Sequence, residues 1–155
     1  MNKMIEDVKL FSETFGKLVN KKPVMVDNED FNFIYEFIKE ELEEFKEAHQ
    51  ASDLVGVADA FADIQYVLNA GILAYGMQDA FKELYDEVQA SNMSKSCKDM
   101  EEAYKTIDLR SLEHGPCHFE RQGDLFIVYR TRDRKVMKCI NYFKPNLEPI
   151  LSKYL

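Results

Sequence analysis

Residues 54–76 read LVGVADAFADIQYVLNAGILAYG. Apart from Asp59 and Asp63, no side chain in this run is charged. The rest is Leu, Val, Ala, Phe, Ile, Tyr, Gly and two amides, the composition of a core helix. The two aspartates stand four apart, so they share one helix face with Tyr66 and Ala70. A membrane span of this length is disfavoured, because each mid-span aspartate costs about 2.5–3.5 kcal/mol. A buried, unpartnered carboxylate is also expensive and resolves itself by a raised pKa, a basic partner or a bound cation.

A second acidic stretch lies just upstream. IKEELEEFKEA (38–48) carries Glu40, Glu41, Glu43, Glu44 and Glu47. Glutamates on a helix are usually a solvated face. Here Glu40, Glu41 and Glu44 project to one side within one turn, about 5.4 Å. Glu41 also falls in line with Ile34, Ile38 and Phe45, at the edge of the apolar stripe. Lys39 and Lys46 are too few to neutralise the cluster. Mg2+, with Mn2+ as substitute, fits such a set: hard cations take oxygen ligands and bridge carboxylates to phosphates. The metal set read from the sequence is Glu40, Glu41, Glu44, Asp59 and Asp63. A di-iron bundle would need Glu-x-x-His pairs, and residue 46, three before His49, is a lysine.

Around this pair the chain reads as a helical bundle. Ile5, Val8, Phe11, Phe15 and Leu18 space a helix over 2–20, ended by Lys21-Lys22-Pro23. Asp27 or Asn28 caps the next helix, which runs to about His49. Ser52 or Asp53 caps the third, and Gly76 stands at its C-terminal end. Asp79 opens a fourth helix with Phe81, Leu84, Tyr85 and Val88 on one face. Asn92 and Lys95 continue that face and are candidates to donate to phosphate oxygens, with a hydroxyl from Ser91 or Ser94. A short fifth helix is expected from Cys97 to Leu109. After Pro116, HFERQGDLFIVYR and KVMKCINY read as an antiparallel hairpin or three-stranded meander. The predicted fold is all-α: a four- to five-helix bundle (1–112) with a small β appendage (117–142) and an irregular tail (143–155), in one domain.

Charge and cysteines bound the function. With 155 residues, 20 Lys/Arg and 28 Asp/Glu, the net charge is −8, which argues against nucleic acid as a partner. The charge is uneven: from Cys117 onward there are 8 Lys/Arg against 4 Asp/Glu. Arg130, Arg132, Arg134, Lys135 and Lys138 make the hairpin basic, either as a charged edge or as a lid whose Lys135 or Lys138 reaches phosphates. His114, Cys117 and His118 cluster in HGPCH, too few ligands for a soft metal. Three scattered cysteines and a charged, amphipathic opening (residues 1–9) suit reduced thiols and a cytoplasmic location.

With both acidic helices in view, the sequence resembles the all-α nucleoside triphosphate pyrophosphohydrolases, the MazG-like and phosphoribosyl-ATP pyrophosphohydrolase-like group. Glu40-Glu41-x-x-Glu44 matches the family's EExxE helix. VADAFADIQYVLNAG (57–71) resembles its second acidic helix, and SNMSK (91–95) its signature at the end of the fourth helix. FSETFG (11–16) and RDRKVMKCINYFKPNL (132–147) resemble its flanks. One departure stands out: the commoner pattern has Glu three before the Asp, where this chain has Gly56 and Ala60. The resemblance implies Mg2+-dependent hydrolysis of a nucleotide between the α- and β-phosphates, giving a monophosphate and pyrophosphate. It also implies assembly into a homodimer or homotetramer. Glu41 or Glu44 is the candidate to orient or deprotonate the attacking water. Phe11, Phe15 and Tyr66 read first as core and second as a base-reading set. The alternative reading is a non-catalytic, regulatory nucleotide- or metal-binding module on the same fold.

Overall fold

The structure, a computed structural model, describes residues 2–155. In chain order it holds α1 (Lys3–Thr14), α2 (Asn28–Gln50), α3 (Leu54–Ala74), α4 (Phe81–Met93), α5 (Met100–His114), β1 (Cys117–Gln122), β2 (Leu125–Arg130) and α6 (Glu148–Ser152). The mostly helical architecture with one two-stranded antiparallel hairpin is the predicted fold class. None of the helices in the described residues is long and apolar enough to cross a membrane.

The chain divides into two compact units. The first runs to Glu83 and takes back Glu148–Leu155; the second is Leu84–Leu147. The division falls inside α4, near its start.

In the first unit, caps set the helices. Asp27 accepts the N–H groups of Glu29 and Asp30 (3.0 and 2.9 Å), and Asp53 those of Val55 and Gly56 (both 3.0 Å). Each aspartate satisfies donors that have no partner within the helix. α1 is shorter than expected. It stops at Thr14, and Gly16 turns the chain at φ +65°, so Phe15 and Leu18 leave the helix. The core here is Ile5 and Val8 of α1 against Leu73 of α3, with Val19, Ala70, Ile72 and Phe81 around them.

α2 is fully buried at no position. Its half-buried residues from Ile34 on, Ile34, Ile38, Glu41, Phe45 and Ala48, recur at 3–4 spacing and form the seam against α3. A Cβ at Gly56 would stand 3.1 Å from Ala48 Cβ, and one at Gly71 3.4 Å from Ile34 Cγ2. Gly56 therefore lets the two helices approach closely, while at Gly71 an added Cβ would make ordinary contact. Ala60, between them, is buried. A glutamate at 56 or 60, as the commoner pattern has, would have to force this seam apart.

The end of α3 is stitched to residues 20–24. Asn20 donates its N–H to the Leu73 carbonyl (3.0 Å) and its amide to that of Ala74 (2.6 Å), and Val24 N–H donates to Tyr75 (3.1 Å). Gln78 donates back to the Asn20 carbonyl at 2.9 Å. These bonds use carbonyls that a helix end leaves open.

In the second unit, α5 packs on the hairpin over a core of Cys97, Ala103, Val128, Met137 and Cys139. Asp99 caps α5, which runs to His114 rather than stopping near Leu109. The strands pair from Cys117–Arg130 to Gln122–Leu125. KVMKCINY is not a third strand. It makes one isolated bridge, Val136 to Tyr129, and its other backbone bonds go to scattered partners: Met137 N–H to Val128, Cys139 N–H to Lys95. The tail expected to be irregular contains the short helix α6.

Candidate active site

The α2–α3 seam ends in a cavity of about 580 Å3 within the first unit. Glu41 and Asp63 stand on its wall. Phe11, Phe33, Phe37 and Tyr66 supply aromatic surface, and Lys17 and Asp30 supply charge. The Lys17 ammonium sits 5.0 Å from the centre of the Phe33 ring. Phe11 meets Tyr66 edge-on at 5.7 Å and Phe15 at 4.5 Å. Reading Phe11, Phe15 and Tyr66 as core is corrected here: they are 41%, 64% and 38% exposed. α1 ends at Thr14, so Phe15 lies outside it.

Glu41 is the most unusual group in this cavity. Its Oε2 is sealed from solvent and has no hydrogen-bond partner. Burial raises its pKa above the usual carboxylate value, and the negative charges of Asp63, Glu44, Glu40 and Asp59 raise it further. All five predicted metal residues therefore share one electrostatic neighbourhood. Within it, Glu41 and Asp63 are half-buried, while Glu40, Glu44 and Asp59 are exposed. They are not drawn tightly together: among the described residues, no three of the five bring oxygens within 4.8 Å of one another. Mg2+ commonly takes only one or two carboxylates and keeps several waters. Glu41 with Asp63 meets that requirement, and the orphaned oxygen surrounded by four anions is what a cation would satisfy. The residues fit a hard divalent ion.

Asn92, Lys95, Lys135 and Lys138 belong to the second unit. Lys95 lies beyond the end of α4, not on its stripe, and its ammonium donates to Asn92 Oδ1 at 2.8 Å. Lys95, Lys135 and Lys138 line a cavity of about 300 Å3 with Arg110, His114 and Arg130. Asn92 is not on its wall. Arg110 escaped the sequence reading, and His114 entered it only through HGPCH; they stand four apart on α5, a spacing that the helix ending predicted near Leu109 concealed. Ser91 and Ser94 are not free hydroxyls: they donate to the Phe143 and Ser91 carbonyls at 2.8 and 2.7 Å. The HGPCH residues do not converge either: Cys117 Sγ donates to the Gly115 carbonyl, and His118 Nδ1 meets the Thr131 hydroxyl.

Part of the hairpin's positive charge is already neutralised. Arg134 pairs with Glu120, and Arg130 grips Asp133 through Nε and Nη2 at 2.9 and 2.6 Å. Chiefly through that bond, the Asp133 pKa falls from 3.8 to about 2. A lowered folded-state pKa gives stability above the ordinary value that is lost as pH falls through the folded one. Acid titration of unfolding should therefore show wild type and Asp133→Asn differing at pH 7 and converging between about pH 4 and pH 2. A gap that stays constant over that range would refute the assignment.

The family model for phosphoribosyl-ATP pyrophosphohydrolase matches residues 8–92, more than half of the chain. A search of curated proteins finds no match. The matched segment holds most of α1, all of α2 and α3, and every member of the acidic set. The chain belongs to the phosphoribosyl-ATP pyrophosphohydrolase family, whose members are nucleotide pyrophosphohydrolases.

Proposed function

We propose that this chain is a Mg2+-dependent hydrolase of nucleoside triphosphates or related nucleotides. It would cut between the α- and β-phosphates and release a monophosphate and pyrophosphate. The observation that carries this reading is the orphaned Glu41 oxygen, with Glu41 and Asp63 both on the wall of an aromatic-lined cavity.

Glu41 and Asp63 would hold the ion, Mg2+ or Mn2+ in its place. Glu40, Glu44 and Asp59 would add negative charge and reach it through water. The ion's contribution when bound is to offset phosphate charge and acidify water. The chain's own groups do the rest. Glu41 or Glu44 would orient the attacking water and take its proton; a pKa moved upward suits Glu41 to that. The exposed faces of Phe11 and Tyr66 would stack a base, and Lys17 and Asp30 are polar groups that would read its edge. Asn92, Lys95, Lys135 and Lys138 are proposed phosphate ligands: three of them line a cavity whose charged walls are all cationic. Such hydrolysis suits removal of unwanted nucleotides in the cytoplasm. The exposed apolar residues of α2, among them Phe31, Tyr35 and Leu42, are the surface a second copy would cover in a homodimer or homotetramer.

Pyrophosphate release is the direct test. A panel of ribo- and deoxyribonucleoside triphosphates with Mg2+ should give turnover on at least one member, lost on chelation and restored by Mn2+. Metal-dependent binding by calorimetry with no turnover on the whole panel would replace this reading with a regulatory binding module.

A further inference from the structure

Cys97 and Cys139 are far apart in sequence, yet their sulfurs lie 2.9 Å apart. Both side chains are closed to solvent. Backbone bonds set both positions. Cys97 N–H donates to the Phe126 carbonyl at 2.8 Å, and Phe126 N–H returns the bond at 2.9 Å. Cys139 N–H donates to the Lys95 carbonyl at 3.2 Å. Thr106 of α5 closes the group: its hydroxyl lies 3.5 and 3.7 Å from the two sulfurs and accepts Ile140 N–H at 3.1 Å. The sulfurs meet because three separate elements bring them together.

Two chemistries use such a pair, and the distances choose between them. A tetrahedral ion with Zn–S bonds of about 2.3 Å holds two thiolates roughly 3.8 Å apart, farther than they stand here. Glu102 is the third donor within 4.8 Å of both sulfurs, and no fourth joins them among the described residues. Glu102 is also engaged elsewhere. Its Oε2 accepts Lys98 N–H at 2.8 Å and its Oε1 accepts the Asn141 amide at 2.7 Å. A disulfide needs two sulfurs in contact and Cβ vectors that converge, and the sulfur contact is present here.

We propose that Cys97 and Cys139 are an oxidative modification site, a dithiol that a peroxide converts to a disulfide. One sulfur, as thiolate, attacks a peroxide oxygen; the O–O bond breaks, giving a sulfenic acid and, for hydrogen peroxide, water. The second sulfur then displaces the sulfenic hydroxyl, the S–S bond forms, and a second water leaves. Two electrons and both thiol protons end on the peroxide. Burial, and the bond to Cys139, push the Cys97 thiol up to about 12. The closed fold therefore holds little thiolate, and oxidation is slow, paced by exposure of the buried sulfurs. Lys95 and Lys138 lie two and one residues from the joined cysteines. The disulfide would thus tie together two segments that line the cationic cavity.

The test uses the full chain with Cys117→Ser, exposed to hydrogen peroxide, quenched, denatured, alkylated and digested. The expected result is loss of both remaining thiols, a mass lower by about 2 Da, and a Cys97–Cys139 cross-linked peptide, all reversed by dithiothreitol. The oxidised form should melt about 5–10 °C higher than the reduced one. Neither cysteine of the pair is changed, and an unchanged melting temperature of reduced Cys117→Ser against reduced wild type shows that the fold is kept. Three results would overturn the proposal: both thiols still alkylated after prolonged exposure with gentle warming, sulfinic acid at either cysteine without the cross-link, or stoichiometric Zn2+ binding that protects both thiols from alkylation.

Discussion

Glu41→Gln should abolish turnover and, in the same protein, raise the melting temperature measured without metal. The first effect is the loss of an ion ligand and candidate base. The expected fall in kcat/KM is about 10^2–10^4-fold, the usual contribution of a positioned proton acceptor. The second effect follows from burial. Glu41 has one oxygen sealed away without a partner, and four neighbouring carboxylates oppose its charge. Its folded-state pKa is raised above 4.5. A raised carboxylate pKa means that the metal-free fold loses stability as pH rises from the ordinary value through the folded one. Glutamine carries no charge and escapes that cost. The variant should therefore be more stable than wild type at pH 7 without metal, with the gap closing as pH falls to about 4.5. Adding Mg2+ should raise the melting temperature of wild type and leave the variant unmoved. An ordinary structural salt-bridge residue would behave in the opposite way, losing stability on substitution. Full activity in Glu41→Gln would remove it from the site.

Gly76→Ala should give the largest loss of stability from a single added methyl in this chain. Gly76 sits just past α3 at φ +67°. A Cβ there would lie 2.0 Å from the Lys22 carbonyl oxygen and 2.5 Å from its carbon. Neither is the tip of a flexible side chain, so the backbone must move. The left-handed conformation alone costs alanine about 1–2 kcal/mol. Displacing Lys22 also strains the bonds from Asn20 and Val24 to the end of α3, each contributing about 1 kcal/mol. Together about 3 kcal/mol is expected, or roughly 6–12 °C in melting temperature for a chain of this size. Denaturant unfolding would measure it; a loss below 1 kcal/mol would mean that residues 20–24 are held less firmly than their bonds imply. Gly123→Ala is the control: it shares a positive φ, but its Cβ would meet nothing within 4 Å.

The parts of this molecule that were readable in its sequence are those governed by local rules. Asp27 and Asp53 start their helices as N-caps do, and the alternation of 117–130 around Gly123 forms a hairpin as its pattern requires. Glu41 stands in the α2 seam with Ile34, Ile38 and Phe45, as helical spacing places it. The misreadings share one cause, side chains whose partners are remote in sequence. Phe15 and Leu18 extend the apolar rhythm of α1 beyond its end, because Gly16 diverts the chain and Leu18 faces a cavity instead of a core. KVMKCINY has strand composition, but its hydrogen bonds go to residues such as 95, 106 and 128, in a turn, a helix and a strand, and no ladder forms. Cys97 and Cys139 looked scattered until tertiary structure joined them. Gly56 and Ala60 looked like defects in an acidic motif. Gly56 lets α2 approach at Ala48 and Ala60 is buried, a requirement that no local pattern announces.

The segment between α1 and the stitch at Asn20 has a practical consequence. Gly16, Lys17 and Leu18 form part of the cavity wall, yet all three are exposed and none belongs to the core clusters. Thr14 ends one anchored helix and Asn20 begins the bonds that hold the next anchored stretch; in the arc between them Gly16 is held to its turn and Val19 to the core, which leaves positions 17 and 18 open. For protein engineering, positions 17 and 18 are the natural library sites: substitutions there reshape what the cavity admits while every helix keeps its packing.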